Sequence, residues 1–430
     1  MKGLTRRTLL AAGAGACCLA VAPVATAQLR IEISGVGANQ IPIALIPLNG
    51  TQETGIDIMK VVGSDLARSG AFRRVDAEVE ATLAESIRPD LIAWRGREVN
   101  IVATGSIIRL ADGHWDVRYR LFDTVKEDLL DQAQFTVTDR QLRLTAHRIA
   151  DRIYDKLTGL GAMFASRLAY VVQYEKNRYE LIVADSDGAN AQPVLLSREP
   201  IISPTWSPDG KQLAYVSFEK KKPVVYVHTV ASGQRHVVAN FRGNNSAPAF
   251  TADGKRLAVA LSRDGYTQLF TMSVLGGEVA RLTRSMAIDT EPVFSADGQY
   301  VYFTSDRGGA PQIYRQNATG GLAERITFAS NYAVSPSLNP SGTHLAYVTR
   351  ADGRYRVATL ELATGQEMVL SRTELDESPC FSPNGQMIVF ATERQGRGVL
   401  ATVSTDGAVH SWLTGPSGDI REPTWSPILK

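Results

Sequence analysis

Pro204-Thr205-Trp206-Ser207-Pro208-Asp209-Gly210 returns, in altered form, four more times. The copies are Pro248-Ala249-Phe250-Thr251-Ala252-Asp253-Gly254, Pro292-Val293-Phe294-Ser295-Ala296-Asp297-Gly298, Pro336-Ser337-Leu338-Asn339-Pro340-Ser341-Gly342 and Pro379-Cys380-Phe381-Ser382-Pro383-Asn384-Gly385. Their leading prolines stand 44, 44, 44 and 43 residues apart, and Pro423-Thr424-Trp425-Ser426-Pro427 follows 44 residues after the fifth. Such a period marks a repeat fold.

Each unit reads as four short strands. Asp-Gly or Asn-Gly after a strand predicts a tight primed hairpin turn with positive φ at its centre. A β-rich run then follows, as in Leu213-Ala214-Tyr215-Val216 or Val301-Tyr302-Phe303-Thr304. A second turn, a third strand such as Gln312-Ile313-Tyr314, and a Gly-containing turn into a fourth strand complete the unit. Four strands in about 44 residues is one propeller blade. The array's ends are offset. Leu168-Ala169-Tyr170-Val171 is a second strand with no first strand before it, and Pro423-Thr424-Trp425-Ser426-Pro427 is a first strand with nothing after it. A closed ring joins them into one blade and removes the exposed β edges that an open solenoid would leave. The reading is a six-bladed β-propeller over residues 164–430, shut by its C-terminal strand.

Residues 28–163 show no repeat and mix element types. Ile41 to Leu48 is β-rich. Ile58, Val61, Val62 and Leu66 recur at helical spacing before Gly70, a C-terminal cap. Val99–Leu110 and His114–Phe122 flank Asp112-Gly113 as a hairpin. Asp139–Leu157 carries Leu142, Ala146, Ile149, Ile153 and Leu157 on one helical stripe. A small α/β domain is expected, preceded by a mobile arm over residues 28–39.

The first 27 residues differ from the rest. Lys2, Arg6 and Arg7 precede an apolar stretch from Leu9 to Val21, and Ala25-Thr26-Ala27 offers small residues at Ala25 and Ala27 for a signal peptidase. Cleavage before Gln28 and export to the periplasm are expected, by the general or the twin-arginine route. The signal holds three of the 46 basic residues and none of the 44 acidic ones, so the mature chain has 43 bases against 44 acids. No basic field remains to attract nucleic acid. Two of the three cysteines leave with the signal; Cys380 remains alone and cannot form an internal disulfide. No run in the body of the chain approaches the ~20 apolar residues of a membrane helix.

Signals of catalysis are lacking. No G-x-S-x-G elbow occurs, and the six histidines are scattered without metal-ligand spacing. A propeller hydrolase or ligand-binding propeller is the rival reading, with its substrate entering the central channel. No cofactor is expected, although converging acidic loops would admit a metal ion in the channel. What the repeat does supply is a surface. The loops entering the innermost strands meet at the channel mouth and bring Glu291, Glu377, Glu422, Asp376 and Arg421 into one ring, with Asn244 and Asn245 beside them. Six loops on a rigid scaffold make a pre-organised docking site.

With these residues in view, the chain resembles the TolB family, periplasmic propeller proteins of the Tol–Pal system. The likeness covers the whole mature chain. Its more specific marks are Asp289-Thr290-Glu291-Pro292, Leu375-Asp376-Glu377-Ser378-Pro379 and the terminal Pro-Thr-Trp-Ser-Pro. The resemblance implies a non-enzymatic, monomeric adaptor linking inner-membrane Tol proteins to the lipoprotein Pal, in outer-membrane constriction at division and in envelope integrity. It implies that Pal is held at Asn244, Ala247, Thr290 and Glu291, with Asn245, Asp376, Glu377, Arg421 and Glu422 at the same mouth. TolA would engage the arm, through Gln28, Leu29, Arg30, Ile31, Glu32 and Ile33. Other outer-membrane proteins are admitted as further partners. The resemblance also implies that Pal binding changes whether the arm is free.

Overall fold

The structure, a computed structural model, describes residues 30–34, 40–75, 87–415 and 417–429. The signal segment, with Ala25 and Ala27, lies outside the described residues, as do Gln28, Leu29 and residues 35–39.

Six antiparallel sheets are arranged as blades around a channel. The first blade is composite. Its innermost strand is Asp419–Trp425, which pairs with Arg167–Glu175, followed by Arg178–Asp185 and Gln192–Ser197. The register sets Thr424 opposite Ala169 and Trp425 opposite Leu168, which is the closure read from the offset ends of the repeat. Blades two to six begin at Ile201–Trp206, Asn245–Phe250, Asp289–Phe294, Ala333–Leu338 and Glu377–Phe381. Closure continues past the strand: Ser426 N donates to Arg167 O (2.8 Å), Leu429 N to Ala165 O (2.7 Å), and the Trp425 indole N–H to Ser166 Oγ (2.8 Å).

The repeated turn is not the primed two-residue turn expected from Asp-Gly. Gly210 N donates to Ser207 O and Ser207 N to Gln212 O, both at 2.9 Å, which encloses a four-residue loop. Pro208 and Asp209 form an ordinary β-turn, and positive φ falls on Gly210 alone (67°). Ser207 explains its persistence. Its hydroxyl donates to Asp209 Oδ1 and accepts from Gln212 N, while Lys211 N donates to the same carboxylate. Thr251/Asp253, Ser295/Asp297 and Ser382/Asn384 repeat the device.

In the N-terminal region a sheet runs in the order Phe72–Arg74, Ile41–Leu45, Ile101–Arg109, Trp115–Asp123, Asp128–Val137. Helices α1 (Ile58–Arg68) and α3 (Leu142–Thr158) pack together against it; α2 (Leu91–Arg95) is a single short turn. Asp57 caps α1 by accepting from Lys60 N, and Thr138 with Gln141 forms a capping box before α3. Gly159, at φ 71°, ends α3. One apolar cluster runs through both regions, from Ile43, Leu66, Ile149 and Tyr154 to Leu168, Val389, Leu413 and Trp425.

The expectation of a mobile arm is corrected for five residues. Arg30–Ser34 is a fifth strand on blade six, antiparallel to His410–Thr414, with Glu32 opposite Trp412. That edge was free to accept a strand because the blade's own four strands end there.

Trp425 is almost fully buried and ties closure to Ser166, in the linker between α3 and Arg167–Glu175. Trp425→Ala is expected to cost about 3–5 kcal/mol, read from urea unfolding; a cost below about 1 kcal/mol would mean that the ring does not depend on this strand.

Candidate partner-docking mouth

Every innermost strand breaks its register at the same place. Pairing skips two residues between Ile202 and Thr205, Ser246 and Ala249, Thr290 and Val293, Val334 and Ser337, Glu377 and Cys380, and Arg421 and Thr424. Proline has no N–H for the ladder, so a bulge is the place a strand tolerates it. In each bulge the residue before proline adopts left-handed φ: Ser203 52°, Ala247 47°, Glu291 51°, Ser335 55°, Ser378 51° and Glu422 55°. Left-handed geometry at a residue with a side chain costs about 1–3 kcal/mol, and such strain persists where the surrounding structure over-determines it. Here six such positions form one rim.

The bulge sorts the predicted residues into three tiers. Ala247, Glu291 and Glu422, directly before proline, line a channel cavity of about 660 Å³. Thr290, Glu377 and Arg421, one position earlier, are partly or fully exposed at the rim. Asn245 and Asp376, two positions earlier, are buried, contrary to the expectation of partner contact. Asn245 donates to Phe241 O and Gly243 O and accepts from Phe241 N. Asp376 accepts from Ser371 Oγ and Val357 N. Both brace loops. Asn244, half-buried, donates through Nδ2 to Ser246 Oγ (2.7 Å).

The two channel glutamates join blades. Glu291 in blade four accepts from Ser335 N (2.9 Å) and Ser335 Oγ (2.9 Å) of blade five, and from Thr304 Oγ1 (2.7 Å). Glu422 in blade one accepts from Ser203 N of blade two and Ser378 Oγ of blade six, each at 3.3 Å. Three blades apart in a ring of six, they stand on opposite sides of the mouth. At the rim Arg421 Nη1 lies 3.4 Å from Glu377 Oε1.

Burial first, and then the negative charge of Glu377, push the Glu422 carboxyl up to about 7, against the pull of the Ser203 amide and Ser378 hydroxyl. Cys380 lines the same channel, accepts from Trp425 N through Sγ (3.3 Å), and has its thiol pushed up by burial. Residues that the sequence did not single out also reach this face. Met286 and Ile288, in the loop leading to Thr290, are 83% and 50% exposed. Apolar side chains in a polar loop were the available signal. Among the described residues, the one His/Cys/Asp/Glu group with metal-ligand spacing is Asp65, His147 and Asp187, away from the mouth.

Known proteins share this two-part architecture. A family model described as the TolB beta propeller domain matches residues 154–429, and one described as the TolB amino-terminal domain matches residues 29–130. The Tol-Pal system protein TolB of Dechloromonas aromatica (strain RCB) is 58% identical over 430 residues, covering 100% of this chain and 99% of the relative. That of Azoarcus sp. (strain BH72) is 61% identical over 398 residues, covering 93% of each. The crystal structure of TolB from Acinetobacter baumannii superposes with a TM-score of 0.86 at 38% identity, covering 93% of this chain and 100% of that one.

The Glu422 carboxyl has a sign that can be tested. Its folded value of about 7 exceeds the usual 4.5, so the native state holds the proton more tightly. Its contribution to native stability therefore falls as pH rises from about 4.5 to about 7, and the loss is complete above that. Glu422→Gln is expected to flatten the decline in melting temperature between about pH 5 and pH 8, by calorimetry. An unchanged slope contradicts the assignment.

Proposed function

We propose, since the chain belongs to the TolB family, that it acts as a periplasmic, non-catalytic adaptor of the Tol–Pal system. In this reading the propeller mouth holds Pal and the N-terminal segment engages TolA, in support of outer-membrane constriction at division and of envelope integrity. The observation that carries it is the strained rim. Of the six bulges, four place Ala247, Glu291 and Glu422 inward, in left-handed backbone, and Thr290, Glu377 and Arg421 outward beside them. A surface so fixed loses little conformational entropy on docking. Met286 and Ile288 add apolar area beside it, the composition of an interface anchor.

The paired segment Arg30–Ser34 supports the second half. A five-residue edge strand bound to His410–Thr414 by its main chain can be exchanged for binding to another protein, as strand addition generally permits. Its host, blade six, also carries Glu377 at the rim.

Asn244→Ala with Glu291→Ala is expected to weaken Pal binding about tenfold or more, by titration calorimetry. Unchanged affinity in the double variant sinks the mouth assignment. Deleting residues 28–37 is expected to abolish TolA binding and leave Pal binding intact or stronger; TolA binding that survives the deletion excludes the arm.

A further inference from the structure

Far from the mouth, six charged or titratable side chains from three elements meet where the N-terminal region rests on blade one. Helix α1 gives Asp65 and Arg68, and α3 gives Arg143 and His147. The end of strand Arg178–Asp185 and the turn after it give Asp185 and Asp187, with Ser186 between them. Asp65, Arg68 and His147 are almost inaccessible to solvent. His147 Nδ1 lies 2.5 Å from Asp65 Oδ2, and its Nε2 lies 3.8 Å from Asp185 Oδ2. Arg68 Nη2 donates to Asp65 Oδ1 (2.8 Å) and Ser186 Oγ (3.1 Å), while its Nη1 donates to Ser186 O. Arg143 Nε donates to Asp185 Oδ2 (3.1 Å) and Nη2 to Asp187.

The spacing of Asp65, His147 and Asp187 would suit a cation. The chemistry argues against one. Arg68 and Arg143 already hold the carboxylates, and three carboxylates against two guanidiniums leave one negative charge, which a protonated His147 neutralises. An uncompensated buried charge is costly, so the imidazolium belongs to the structure. The neighbouring carboxylates outweigh the opposing effect of burial and hold the imidazole up at about 10. The remaining acid facing this side of α3, Asp151, is used separately; it accepts from Met163, Phe164 and Ala165 N at 2.6–2.8 Å.

We infer that this cluster is a polar latch that sets the orientation of the N-terminal region against blade one. The apolar cluster beneath it supplies adhesion without direction, whereas charge-assisted hydrogen bonds fix angles. The reference is also the blade that carries Glu422 and the ring-closing strand, so the two regions and the mouth share one frame. The native imidazole keeps its proton up to about pH 10, so the latch stays closed across ordinary pH; its contribution to stability is complete below the unfolded value of about 6.5, declines from there, and is gone above about 10.

The test is a spin-label distance between introduced cysteines at two exposed turns, Gly113→Cys and Asp264→Cys, in the full mature chain. The otherwise unsubstituted protein is expected to give one narrow distribution from about pH 6 to about pH 9. Asp187→Asn and His147→Gln should each broaden it about twofold, with the circular dichroism of both regions retained. A broad distribution in the unsubstituted protein, or an unchanged narrow one in the variants, overturns the latch. If His147→Gln does not fold, Asp187→Asn, at the margin of the cluster, decides the matter alone.

Discussion

Seven residues at the far end of the chain, Asp419–Trp425, are the innermost strand of a blade whose other strands begin about 250 residues earlier. Without that pairing, Arg167–Glu175 would have an open edge on the channel side, and blades one and six would have no shared wall. The pairing also reaches outward. Trp425 and Leu429 bind Ser166 and Ala165, the linker residues whose neighbouring amides are gathered by Asp151 of α3. Ring closure and attachment of the N-terminal region are thus one construction. The entropic cost of bringing such distant segments together grows only slowly with their separation, so long-range closure is affordable once the strand is well packed.

The rim depends on the closure in turn. Six residues in left-handed geometry represent stored strain, and a ring that could open would relax it. Shut, the ring holds each bulge between two neighbours, and Glu291 and Glu422 stitch adjacent blades through serine hydroxyls and amides. A rim built in this way holds its shape without help from any partner.

The period of the prolines, the offset ends and the helical stripe of α3 carried the architecture, because each is a local pattern repeated or an amphipathic face. What escaped had non-local causes. Asn245 and Asp376 looked like rim residues since they precede Ala247 and Glu377, but the bulge begins after them and leaves their side chains inside the blade. Asp-Gly suggested a primed turn; Pro208 and the Ser207 hydroxyl selected a longer loop instead. The strand Asp128–Val137 lacks clean alternation, as Leu129 and Leu130 are adjacent. His147 could be read only as a scattered histidine, for its partners lie on α1 and in a propeller turn, and nothing local announces them.

In this construction the closing strand opens only when the whole propeller does. Native-state amide hydrogen exchange along Asp419–Trp425 and Arg167–Gln173 tests it directly. Paired amides in both segments should exchange with the free energy of global unfolding, like those of Leu213–Val216 in the interior of blade two. Exchange of the closing strand through a low-energy local opening, while the other blades stay protected, would contradict it.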